Sequence, residues 1–114
     1  MKVKFLITLF LFIGFSSFAQ QKAIQKAVIS TPGVRSEACK TYIDSRLVHE
    51  YGISSVKADY KKHTVAIAWF TDRTNIENVK TALANMGYDA DDVSAEPEAY
   101  KRLSTDCQNP PEKK

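Results

Sequence analysis

A change in hydrophobic spacing at residues 31–33 constrains the fold of this chain more than any other feature. The run at residues 27–30 is apolar with β-branched members, which indicates a strand. Pro32 lacks a backbone donor and Gly33 tolerates strained backbone, so the strand is expected to end there. Beyond this loop, apolar side chains recur at every fourth position: Cys39, Ile43, Leu47 and Tyr51. This spacing predicts an amphipathic helix directly after the loop.

The predicted helix has residues suited to both of its ends. Ser36 is the expected N-cap, because its hydroxyl can accept a hydrogen bond from a free amide of the first turn. Glu37 suits the positive end of the helix dipole. Gly52 is expected to end the helix as a C-terminal cap residue.

The middle of the chain predicts a β-hairpin. Residues 53–60 alternate in part between apolar and polar side chains, and residues 61–63 form a polar turn. The alternation then becomes regular at Val65, Ile67 and Trp69, which predicts a strand with one buried face.

A second helix and a closing strand are predicted after the hairpin. Thr74 is the expected N-cap of this helix, and Gly87 is its expected end. Between them lies one stripe of apolar side chains: Ile76, Val79, Ala82, Leu83 and Met86. We expect residues 88–93 to form a short edge strand and residues 97–103 to form one or two helical turns.

The predicted order is strand, helix, strand, strand, helix, strand. This order indicates an α+β fold, a ferredoxin-like βαββαβ sandwich with a four-stranded antiparallel sheet and two helices on one face. The fold by itself assigns no activity. The sequence has no glycine-rich phosphate loop and no Ser-His-Asp order, and the predicted layout keeps Cys39 away from both histidines. We therefore do not expect an enzyme.

Residues 1–19 have the features of a secretory signal peptide. A basic start is followed by an apolar run at residues 5–13 and by small residues at positions 16–19. These features predict cleavage between Ala19 and Gln20, and hence an exported protein that is periplasmic in a bacterium. The apolar run is too short to span a bilayer comfortably, so no stable membrane insertion is expected after cleavage.

The net charge and the length of the mature chain exclude further classes of function. Removal of Lys2 and Lys4 with the signal peptide lowers the formal net charge from +3 to +1. A nucleic-acid or membrane-surface role would need a clustered basic face, so neither role is expected. The length that remains after cleavage fits one small domain, in which the hydrophobic core is expected to be small.

The chain has two cysteines, Cys39 and Cys107. In an oxidising compartment they can form a disulfide, whereas inside the cell they would stay reduced. From spacing alone, Cys39 is best explained as a small buried residue on the core-facing stripe of the first helix. The paired cysteines of a thiol redox motif are absent at this helix start, which disfavours a redox protein.

Together, several modest motifs resemble the heavy-metal-associated domain, the module of copper chaperones and metal ATPases. The motifs are, in chain order, Pro32-Gly33, Cys39, Ile43-Asp44, Leu47, Gly52-Ile53, residues 56–59, Val65, Ile67, Ile76, Val79, Leu83 and residues 87–90. The resemblance covers roughly residues 27–93. It implies a polar N-terminal tail at residues 20–26, a heavy-metal-associated-like domain at residues 27–94 and a C-terminal extension at residues 95–114.

The resemblance implies a metal loop at the start of the first helix. In the family this loop reads Cys-x-x-Cys, and its two thiolates bind Cu(I) or another soft ion. By position Cys39 is the second ligand, whereas Ser36 stands where the first ligand should be. A neutral hydroxyl is a poor ligand for Cu(I). Tyr88 corresponds to a family position beside the loop, so Ser36 and Tyr88 are expected to surround the ligands.

The resemblance also gives Cys107 a role. Residues 99–107 are similar to a C-terminal extension of some exported relatives, which often carries cysteine. If this extension folds back over the loop, Cys107 supplies the missing thiolate and the metal ligands are Cys39 and Cys107. Alternatively, two copies of Cys39 bridge one ion between two chains.

Two functional hypotheses follow from the sequence. In the first, the exported protein binds or delivers a soft metal ion, most simply Cu(I), and its partner is a metal-transport or metal-accepting protein. In the second, the domain has lost metal binding, is stapled by a Cys39–Cys107 disulfide, and acts as a protein-interaction module through the open face of its sheet.

Overall fold

The computed structural model describes residues 23–109, and the predicted signal peptide lies outside this range. The described residues form three strands, three helices and one 3-10 turn. In chain order these are β1 (Ile24–Ser30), α1 (Glu37–Leu47), β2 (Ile53–Asp59), β3 (Thr64–Phe70), α2 (Ile76–Asn85), α3 (Pro97–Arg102) and the 3-10 turn Thr105–Cys107. None of the helices in residues 23–109 has both the length and the apolar character needed to cross a bilayer.

The sheet has the order β1-β3-β2, and both pairings are antiparallel. The central strand β3 is the most buried of the three, as its regular alternation predicted. Strand β1 begins three residues earlier than predicted, because Ile24 pairs with Phe70 at the far end of β3. Residues 24–26, which were expected in a polar tail, are therefore part of the sheet.

The predicted fourth strand is wrong. Within residues 23–109 the sheet has three strands, and the segment after α2 contains only a single bridge between Ala90 and Val93. Asp91 has a φ of 52°, which turns the chain away from an extended path. Its carboxylate accepts from the Ser30 amide at 2.8 Å, and its own amide donates to the Ser30 carbonyl at 2.9 Å. One aspartate thus replaces the ladder that a fourth strand would form.

Helix α1 begins as predicted but is shorter than predicted. Ser36 is the N-cap, and Glu37 lies in the first turn. The helix ends at Leu47, and turns then lead to Gly52, whose φ is 84°. Tyr51 is 74% exposed, so it lies outside the buried stripe to which its spacing assigned it.

Helix α2 has a different cap from the predicted Thr74. The side chain of Asn75 accepts from the Asn78 amide at 2.9 Å, so Asn75 is the N-cap. Gly87 follows the helix with a φ of 107°, a conformation that favours glycine.

The hydrophobic core lies between the sheet and the two longer helices. The core includes fully buried side chains from β1, α1, β3 and α2, among them Ile29, Ile43, Leu47, Val65, Val79 and Leu83. Because α1 is anchored by this packing, its first turn and the preceding loop have a fixed position at one end of the sheet.

Candidate functional site

The loop between β1 and α1 is held by the hairpin turn that joins β2 and β3. The Thr31 amide donates to the His63 carbonyl at 2.8 Å, and His63 Nδ1 lies 2.8 Å from the Val34 carbonyl oxygen. Val34 is fully buried. These contacts give His63, which the sequence placed in a surface turn, a structural role in fixing the loop.

The C-terminal extension, of which residues 95–109 are described and which is also called the C-terminal segment below, folds back over this loop. A Cβ atom at Gly33 would lie 2.7 Å from the Cys107 carbonyl oxygen and 3.2 Å from Tyr88 Cδ1. Such approaches are too close for a side chain, so glycine is required at this position. The loop, Tyr88 and the end of the extension therefore meet in one place.

Cys39 and Cys107 form a disulfide across 68 residues of sequence, with their Cα atoms 5.6 Å apart. Cys39 is in the first turn of α1, and Cys107 ends the 3-10 turn. Their exposed fractions are 0% and 5%. Both cysteines of the chain are thus oxidised and almost fully buried.

Ser36 connects the start of α1 to the C-terminal segment. Its Oγ accepts from the Cys39 amide at 3.4 Å and donates to Asp106 Oδ2 at 2.7 Å. The same oxygen lies 3.2 Å from Cys39 Sγ. The hydroxyl proton is directed to the Asp106 carboxylate, and the same oxygen accepts from the Cys39 amide. Ser36 therefore caps α1 and also binds the C-terminal extension.

Asp106 is a site residue that the sequence patterns did not predict. Its carboxylate accepts from Ser104 Oγ at 2.6 Å and from Ser36 Oγ at 2.7 Å. These two hydrogen bonds, the Ser104 bond foremost, lower the pKa of the Asp106 carboxyl. One ligand atom from each of Cys39, Asp106 and Cys107 lies within 4.8 Å of the others. The only sequence signal for Asp106 was its position next to Cys107.

Tyr88 is buried beside the loop, with 1% of its surface exposed. Its ring is 6.5 Å from the Tyr42 ring, with an angle of 46° between the planes. Among residues 23–109 the hydroxyl has no hydrogen-bond partner. Burial raises the pKa of Tyr88, and interactions with Tyr42 and Asp106 add to the shift in the same direction. The phenol therefore stays neutral, and its hydroxyl oxygen is a polar atom buried in the interior.

Hydrogen bonds besides the disulfide hold the C-terminal segment in place. Arg35 Nη1 donates to the Gln108 carbonyl at 3.0 Å. Asn109 Nδ2 donates to Asp89 Oδ2 at 2.8 Å, and the Asn109 amide donates to the Tyr100 hydroxyl at 3.0 Å. The segment is thus attached to both the loop and the region after α2 by contacts that do not depend on the sulfur atoms.

The known proteins that this chain resembles include a copper chaperone by sequence and MerP by fold. The chain is 29% identical over 62 residues to the copper chaperone CopZ of Staphylococcus haemolyticus (strain JCSC1435), a match that covers 54% of this chain and 91% of that protein. The fold resembles that of oxidized MerP from Ralstonia metallidurans CH34, with a TM-score of 0.56 and 22% identity over 60% of this chain and 94% of that one. A CopZ metallochaperone structure gives a TM-score of 0.54 and 20% identity over 58% and 98% of the two chains.

The family model of the heavy-metal-associated domain matches residues 28–89, which is more than half of the chain. This span includes the loop, both longer helices and the whole hairpin, and it ends before the extension that carries Cys107. The chain therefore belongs to the heavy-metal-associated domain family.

Proposed function

We propose that this protein binds and passes on a soft metal ion, Cu(I), through the thiolates of Cys39 and Cys107 once their disulfide is reduced. The observation that carries the proposal is the pairing of these two sulfur atoms at the start of α1. In the family, a Cys-x-x-Cys loop supplies both sulfurs at this place. Here Ser36 replaces one of them, and Cys107 brings a second sulfur to the same helix end.

The donor set fits a soft cation. Polarizable thiolates are the ligands that Cu(I) prefers, and a neutral hydroxyl such as that of Ser36 does not compete with them. In the disulfide both sulfurs are engaged with each other, so the oxidised protein has no thiolate to offer. Reduction is therefore the step that creates the site.

The relatives support a carrier role rather than catalysis. Staphylococcal proteins that match most of this domain are named copper chaperones. By analogy, this chain would hand its ion to a metal-transport or metal-accepting protein. Because both cysteines are covered, release requires the C-terminal segment to move away from the loop.

Export forms part of the proposal. A secretory signal peptide would bring the chain to an oxidising compartment, in which a disulfide persists until a reductant reaches it. The same pair of cysteines would then alternate between a metal-free disulfide and a metal-binding dithiol.

An anaerobic Cu(I) titration of the reduced protein against a coloured chelator tests this function. We expect one copper per chain for the natural sequence and loss of binding in both Cys39→Ala and Cys107→Ala. The oxidised protein of identical sequence is the matched control and should not compete for copper. Loss with Cys39→Ala alone, at half a copper per chain, would instead indicate a dimer bridged by two Cys39 thiolates.

A second function is favoured by the disulfide itself. A covalent link across 68 residues can stabilise a small domain by about 4 kcal/mol in the loop-entropy model. In this alternative the two cysteines form a permanent structural disulfide, and the domain acts as a protein-interaction module. It predicts a fully oxidised pair in protein isolated from its compartment and no copper competition after reduction.

A further inference from the structure

A groove with a volume of about 690 Å³ lies beside the disulfide, between α1, α2 and α3. Its lining includes apolar and aromatic surface from Tyr42 and Met86 and the sulfur-bearing residue Cys107. A site of this size is in the range that accommodates small organic ligands. Of the residues in its lining, the metal-binding proposal uses only Cys107.

The charges that line the groove favour an anion. Arg46 contributes from α1 and Arg102 from α3, and the one carboxylate in the lining is that of Glu50. Arg46 is held at the wall, with its Cζ 5.1 Å from the centre of the Tyr42 ring. Within residues 23–109, neither arginine lies within ion-pair distance of a carboxylate. Both guanidinium groups are therefore available to bind a carboxylate-bearing ligand.

Of the two residues joined by the disulfide, the groove reaches Cys107 and not Cys39. Cys107 lines it and is 5% exposed, whereas Cys39 is fully buried and does not line it. A nucleophile in the groove would therefore meet Cys107. The sulfur that leaves would be that of Cys39, in the first turn of α1, where the helix dipole favours negative charge.

We propose that the groove binds a low-molecular-weight thiol bearing carboxylates, and that this thiol opens the disulfide by attacking Cys107. The inference rests on the proposed function in one respect, since it supplies the reductant that creates the metal-binding dithiol.

The disulfide is reduced by two successive thiol–disulfide exchange steps, in which atoms and electrons balance. The external thiolate forms a bond to Cys107 Sγ while the Cys39–Cys107 bond breaks, and the electron pair leaves with Cys39 as a thiolate. A second thiolate then attacks the external sulfur of the mixed disulfide and releases the Cys107 thiolate. Two external thiols become one external disulfide, the protein gains two electrons, and the two thiol protons pass to solvent or to the cysteines.

The test uses the oxidised, metal-free protein with glutathione as the probe. The rate of mixed-disulfide formation is followed by acid quenching and mass spectrometry, and peptide mapping locates the adduct. Glutathione diethyl ester, which has the same thiol and no free carboxylate, is the matched probe. The variants are Arg46→Gln, Arg102→Gln and their combination, with Lys101→Gln as the control on the same helix as Arg102.

We expect the adduct on Cys107. We also expect the double arginine variant to react about tenfold more slowly with glutathione, the effect of losing roughly 1.4 kcal/mol of binding. Its rate with the diester, and the glutathione rate of Lys101→Gln, should change less than about twofold, because an exposed charge outside the site contributes little.

Two results would overturn the proposal: an adduct on Cys39, or equal slowing of glutathione and its diester in the arginine variants. Neither readout involves metal. A reduced protein that fails to bind Cu(I) would therefore refute the proposed function without deciding this test, and failure of this test would leave copper binding by the reduced protein intact.

Discussion

At the residue scale, Ser36 has two separate structural roles. Its hydroxyl caps α1 and donates to Asp106, so this position connects the start of the helix to the C-terminal extension. The sequence predicted the cap, because capping depends on neighbours within three residues. It did not predict the bond to Asp106, because that partner lies 70 residues away and is brought there only by the folded extension.

The buried hydroxyl of Tyr88 leads to a prediction about stability. Because this group has no hydrogen-bond partner in the part of the chain that the structure describes, Tyr88→Phe should raise the free energy of unfolding by about 1 kcal/mol, or leave it unchanged. Urea unfolding monitored by circular dichroism measures the difference.

Tyr100→Phe is the matched control for that prediction. The Tyr100 hydroxyl accepts from the Asn109 amide at 3.0 Å, so its removal should lower the free energy of unfolding by about 1 kcal/mol. A loss of stability in Tyr88→Phe equal to that in Tyr100→Phe would mean that the Tyr88 hydroxyl has a partner in solution.

At the scale of elements, the predictions succeeded where hydrophobic periodicity was regular and failed where single polar contacts decide the structure. β3, α1 and α2 were all predicted, because each has a clear apolar stripe that packs into the core. The fourth strand failed, because the Asp91 carboxylate bonds to the Ser30 amide and its backbone takes a positive φ. Neither effect leaves a periodic trace in the sequence.

The C-terminal segment is the element whose stability depends most on the disulfide. Reduction should lower the free energy of unfolding by up to about 4 kcal/mol, because the unfolded chain regains the entropy of a long loop. Urea unfolding with and without a phosphine reductant measures this change. The reduced protein should still fold cooperatively, since hydrogen bonds from Arg35 and Asn109 continue to hold the segment.

A Cys39→Ser/Cys107→Ser double variant is the control for the reduction experiment. Its stability should match that of the reduced natural sequence and should not respond to the reductant. Equal stability of the oxidised and reduced proteins would contradict a structural contribution from the disulfide.

At the scale of the whole molecule, a disulfide holds the C-terminal extension over the start of α1 and the loop before it. The family resemblance placed Cys39, Ser36 and Tyr88 around the loop, and the structure brings Cys107 to the same place. Sequence patterns could not fix this arrangement. The position of Cys107 depends on where α3 and the 3-10 turn pack, and short helices have little periodicity from which packing can be predicted.

The central claim is that Cys107 supplies the thiolate that Ser36 does not, and moving the thiol tests it most directly. The measurement is the Cu(I) affinity of reduced Cys107→Ala and of the double variant Ser36→Cys/Cys107→Ala, by chelator competition. We predict that Cys107→Ala loses tight binding and that the added cysteine at position 36 restores it at one copper per chain. Tight binding by Cys107→Ala itself, equal to that of the natural sequence, would contradict the claim.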